Sequence, residues 1–91
     1  MPNKLLYTVL LDFLGGTYIA QVRATSPSDA LSRWLYKTDG RTLRRWKLSR
    51  RQLENIVTAH KPTRIRGLRG VWCVSGSVRR RFILINIIAT A

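Results

Sequence analysis

The sequence predicts a small α+β domain in ββααββ order, with one four-stranded, mostly antiparallel sheet and two helices on one of its faces. Three observations predict it. A strand-turn-strand pattern stands near each end of the chain, two capped helical segments lie between them, and 91 residues allow only one core, hence one domain over residues 1–91.

Leu5 to Leu14 alternates, and Leu5, Tyr7, Val9, Leu11 and Phe13 form the expected core face. Gly15-Gly16 reads as a two-residue hairpin turn, followed by the β-favouring run Thr17 to Ala24. Ser26-Pro27-Ser28-Asp29 then supplies a capping serine, a proline at the first helical position and an acid three residues after the cap. The helix it starts carries Ala30, Leu31, Trp34 and Leu35 on one face, with Gly40 as the expected stop. A second start at Ser49, with Gln52 three residues on, precedes Leu53, Ile56, Val57 and His60 at helical spacing, and Pro62 ends that helix. Between the helices, Arg41 to Leu48 fits helix, strand or loop. Residues 62–70 have loop composition with Ile65 and Leu68 as apolar anchors. Val71 to Ser75 and Phe82 to Ile88 complete the fold as a second hairpin, joined through Gly76 and the basic tip Arg79-Arg80-Arg81.

Charge divides the chain more sharply than hydropathy does. Residues 1–40 hold four basic and three acidic side chains and read as a near-neutral scaffold; residues 41–81 hold thirteen basic side chains and one acid, Glu54, and read as a working surface. The net charge is +13, yet 45% of residues are apolar, too many for a disordered basic tail. A lone cysteine, Cys73, excludes an internal disulfide and a multi-cysteine zinc cluster, and a reducing, cytoplasmic setting is expected. Apolar runs at 5–14 and 82–91 contain Asp12 and Asn86 and are too short for membrane helices. Asp12 and the lack of a small-x-small site also argue against reading the Met1-Pro2-Asn3-Lys4 start as a secretory signal.

The candidate sites are basic. Arg41, Arg44, Arg45, Lys47, Arg50 and Arg51 surround Trp46, which serves as a base-stacking platform if exposed and as core if it follows Leu43 inward. Arg64, Arg66 and Arg69 lie in a glycine-containing loop, and Arg79, Arg80 and Arg81 in the hairpin tip. Arginine outnumbers lysine thirteen to four, which favours phosphate, because the planar guanidinium pairs with two phosphate oxygens at once. Triple arginine in a turn also serves to block sheet-to-sheet association, but three clusters on one small domain repel each other at a cost that a polyanion offsets. A non-enzymatic nucleic-acid-binding protein is therefore expected, RNA before DNA, since loop and tip arginines dominate and no helix-turn-helix is recognisable. The alternative is a protein-protein module, such as an inhibitor, antitoxin or immunity-type factor, docking its positive face on an acidic partner.

Catalysis has little to work with. One His, one Cys and four acids, of which Asp29 and Asp39 are engaged in caps and turns, give no carboxylate pair, no metal set and no cofactor motif. His60 reads as packing at a helix end, and Cys73 as a small buried hydrophobe. A small basic RNA-cleaving toxin using His60, Arg64 and Arg66 is the remaining catalytic option.

Residues 7–31, from Tyr7-Thr8-Val9 through Gly16-Thr17-Tyr18 to Ser26-Pro27-Ser28-Asp29-Ala30-Leu31, resemble the hairpin-then-helix start of HicB-like antitoxins, without the longer loop usual there. The resemblance implies no more than a toxin-antitoxin or other defence-related setting. If the odd residues of the first strand and Ile83, Ile85 and Ile87 face the helices, Leu6, Leu10, Leu14, Phe82 and Leu84 share the opposite face. Such a patch is expected to be covered, most simply by a second copy in a homodimer, and otherwise by the C-terminal strand or the 62–70 loop.

Overall fold

The computed structural model describes residues 4–90; the Met1-Pro2-Asn3 start weighed above lies outside them. The strands are β1 (Leu5–Phe13), β2 (Gly16–Ala24), β3 (Thr63–Arg64), β4 (Val71–Val78) and β5 (Arg81–Ala89); the helices are α1 (Pro27–Lys37), α2 (Gly40–Arg45) and α3 (Arg50–Ala59). All five strands form one antiparallel sheet in the order β2-β1-β5-β4-β3. The α+β class holds, with a fifth strand and a third helix that the sequence reading did not separate. β3 is two residues long and pairs only with Cys73 and Trp72, too short for any alternation to announce it.

The core face is the one expected. Tyr7, Val9, Leu11 and Phe13 on β1 and Ile83, Ile85 and Ile87 on β5 are all buried, and Leu31 of α1 and Leu53 of α3 close over them. Leu5, at the open end of β1, is exposed instead. Ser26 caps α1, its hydroxyl accepting from the Asp29 N–H at 3.0 Å with Pro27 next in line, and Ser49 with Gln52 forms a reciprocal capping box on α3.

Three boundaries moved for physical reasons. The first turn is Leu14-Gly15, both at positive φ, as a type I′ hairpin requires, while Gly16 pairs with Phe13. Gly16 is used for space: a Cβ there would sit 2.6 Å from the Tyr18 hydroxyl, because the tyrosine ring lies across it. α1 stops at Thr38, whose backbone N–H and hydroxyl both donate to the Trp34 carbonyl, and Gly40 opens α2 behind its cap, Asp39. β4 runs through Gly76 to Val78, so the glycine sits in the strand, where α3 crosses it.

A Cβ at Gly76 would meet Ile56 Cγ1 at 3.2 Å. Gly76→Ala is expected to destabilise the fold by about 1–2 kcal/mol through overpacking, measured by urea unfolding, and the same substitution should cost less in an Ile56→Ala background, where both crowding Cγ atoms are gone. Asp29 and Asp39 are held below their ordinary value of 3.8, the first chiefly by the Thr25 backbone N–H and then Arg33, the second chiefly by the Thr42 backbone N–H. Because the folded state favours the ionised form, this contribution is present above the unfolded value and lost as pH falls through the depressed folded values. Unfolding curves taken from pH 6 down to pH 2 should show stability declining below about 4, with a shallower decline in Asp29→Asn/Asp39→Asn.

Candidate nucleic-acid interface

The segment that sequence patterning left open is where the largest basic cluster is built. The Asp39 carboxylate accepts from the Thr42 N–H at 2.8 Å and starts α2, which buries Leu43 and is followed by buried Trp46 and Leu48. With those three turned inward, Arg41, Arg44, Arg45 and Lys47 are left exposed. The helix closes with the Leu48 N–H on the Leu43 carbonyl and the Lys47 N–H on the Arg44 carbonyl, a Schellman arrangement. Its left-handed position, at φ 60°, is occupied by Lys47 where glycine would be relaxed.

Two members of this cluster are not available to a ligand. Trp46 is core: it is 7% exposed, and its ring lies 6.0 Å from Trp34 and 5.0 Å from Tyr18, so no face is left for a base. Arg50 turns back into the helical layer, its guanidinium donating to the Leu35 carbonyl at 2.6 Å and to the Thr38 carbonyl. It thus closes the C-terminal end of α1 and acts as a structural side chain. Arg51, beside it in the first turn of α3, is exposed.

The hairpin tip joins this cluster. Arg79 and Arg80 form a two-residue turn at φ 52° and 65°, and the Arg79 guanidinium donates to the Lys47 carbonyl at 2.6 Å. Basic groups from 41–51 and from 79–81 therefore share one pole of the molecule. The Leu14-Gly15 turn reaches the same end of the sheet, because Phe13 pairs with Ile83. The exposed aromatic at this pole is Phe82, 66% accessible beside Arg81, assigned from the sequence to the partner face. Its signal was its position directly after three arginines. Next to Arg79, an open depression of about 330 Å³ between α3 and β4 is lined on its polar side by Gln52, Asn55, His60 and Ser77.

The third cluster stands apart. Arg64 pairs with Trp72 near the start of β4, whereas Arg79 follows its end, a separation of about 23 Å along the strand. Arg64, Arg66 and Arg69 are exposed and line their own depression, held in shape by Gly67 and Gly70 at positive φ. His60 is exposed at the end of α3 and does not border that depression, so the candidate catalytic set of His60, Arg64 and Arg66 is not gathered around one cavity.

On the opposite sheet face, Leu6, Leu10 and Leu84 are half-buried and Leu14 and Phe82 exposed, as the alternation implies. Cys73 is half-buried there, paired with Asn86 and Thr63. Among the described residues no three His, Cys, Asp or Glu side chains gather, no helix is long and apolar enough to cross a membrane, and the ion pair present is Arg33 with Asp29 at 2.9 Å. Comparison with protein-family models, curated proteins and solved structures gave no match.

The two adjacent arginines of α3 separate structure from binding. Arg50→Ala is expected to cost about 1.5–3 kcal/mol in urea unfolding, since two carbonyls lose a charged donor. Arg51→Ala should stay within about 0.5 kcal/mol of the parent.

Proposed function

We propose that the protein binds nucleic acid through backbone phosphates, RNA in preference to DNA, and catalyses no reaction. The observation that carries this reading is the pole where Lys47, Arg79 and Arg80 meet. All three are cations at positive φ, a conformation that costs an L-residue about 1–2 kcal/mol and that glycine or asparagine adopts more cheaply. Strain and like-charge repulsion at one spot are a cost to the isolated fold, and a polyanion lowers the second of them. Around these three, Arg41, Arg44, Arg45, Arg51 and Arg81 supply further exposed guanidiniums, and Phe82 offers an apolar ring on which a base can stack. Arg64, Arg66 and Arg69 form a second contact region about 23 Å along β4, suited to a strand that runs past more than one site. A cytoplasmic setting and a homodimer belong to the same reading.

Fluorescence anisotropy against labelled single-stranded RNA, hairpin RNA and duplex DNA over a salt series tests it. Binding to RNA should persist near physiological salt, and Arg44→Ala/Arg45→Ala/Arg51→Ala should weaken it on every sequence and make the log-log salt slope shallower by about 2. Unchanged affinity in the triple variant would remove the assigned surface. Weak, indiscriminate binding that is gone by about 0.15 M salt would favour an acidic protein as the partner instead.

A further inference from the structure

The β2 edge of the sheet is unpartnered. β2 is nine residues long, stands last in the strand order, and is bonded on one side only, to β1. Since Phe13 and Gly16 close a two-residue hairpin, the even residues of β2 bond to β1, and the N–H and C=O groups of Thr17, Ile19, Gln21 and Arg23 point outward. A long, uncovered edge is a template for another strand. β4, the other long outer strand, is shorter and is partly covered by β3.

We infer that this edge pairs with the same edge of a second copy, β2 against β2 antiparallel about a two-fold axis at Ala20, making one continuous ten-stranded sheet. Charge selects the occupant. Two copies at +13 repel least where basic side chains are few, and β2 carries one charged residue, Arg23, at the end of the edge. Register follows from the outward groups. An axis at Ala20 sets Thr17 opposite the partner copy's residue 23 and Ile19 opposite its residue 21, so all four outward residues are paired on both copies. An axis at Ile19 leaves Arg23 without a partner residue in the strand, and an axis at Gln21 leaves Thr17 without one.

The Ala20 axis also matches the charges of the open sheet face. Within the strands that face carries one base, Arg23, and one acid, Asp12. Asp12 accepts a hydrogen bond from the Thr17 hydroxyl, so a second copy's arginine placed opposite Thr17 lies in the same cross-strand row as the carboxylate. Face-to-face stacking is less suited to this surface. Its centre is polar, with the Thr8 hydroxyl accepting from the Gln21 amide and sharing a hydrogen bond with the Thr90 hydroxyl, and Asn86 between Leu10 and Cys73. The antiparallel arrangement keeps the helices of both copies on one side and sends their basic poles to opposite ends.

Sedimentation of the full chain, with a cysteine scan in a Cys73→Ser background, tests this inference independently of any nucleic acid. The wild-type chain should be dimeric. Ala20→Cys should form a disulfide-linked dimer under mild oxidation well ahead of Ile19→Cys and Gln21→Cys, because residue 20 faces itself at a non-hydrogen-bonded position with Cα atoms about 4.5 Å apart. Gln21→Pro removes an outward N–H without touching the β1 ladder, so it should stay folded by circular dichroism while self-association weakens at least about tenfold. A monomeric wild-type chain, equal cross-linking at all three positions, or a folded Gln21→Pro variant that dimerises as before would each overturn the proposal.

Discussion

One buried sheet face has to stabilise a chain that carries +13. The described residues form a single ion pair, Arg33 with Asp29, and it is partly exposed, so electrostatics contributes little to holding the fold. Stability rests on Val9, Leu11, Ile83, Ile85 and Ile87 packing against Leu31 and Leu53. Every basic side chain must then find a place outside that layer. Helix outer faces, helix connections and hairpin turns are what the topology leaves, and most of residues 41–51 and 79–81 are found there.

The Lys47 carbonyl makes two of these places into one. Arg79 reaches it from the β4–β5 turn, tying the sheet's tip to the link between α2 and α3. Arg50, at the start of α3, bonds the carbonyls that end α1. One arginine thus orders the helical layer, another fastens the hairpin to it, and the other arginines of 41–51 and 79–81 project from a pole whose geometry is fixed. Backbone strain is concentrated at that pole, in Leu14, Lys47, Arg79 and Arg80, and none of these positions uses the glycine that would relieve it.

Much of the fold was legible because its signals are local. Ser26-Pro27 and Ser49 with Gln52 announce helix starts within four residues, and the period-two pattern of β1 and β5 identifies the buried face without knowledge of the partners. Elements too short for a period escaped, namely the six residues of α2 and the two of β3. The candidate site was half legible. Charge alone marks the three clusters, but the burial of Trp46 between Trp34 and Tyr18, the inward turn of Arg50 and the meeting of Arg79 with Lys47 all depend on contacts between distant parts of the chain.

The central claim is that the hairpin pole, and not the sheet face, meets the polyanion. Amide chemical-shift mapping of the labelled chain during titration with a short single-stranded RNA tests it most directly. The expected result is that shifts concentrate in Arg41 to Arg51 and Arg79 to Phe82, with a second, smaller set at Arg64 to Arg69. Shifts confined to the open face around Leu10, Leu84 and Asn86, with the pole unmoved, would contradict the account.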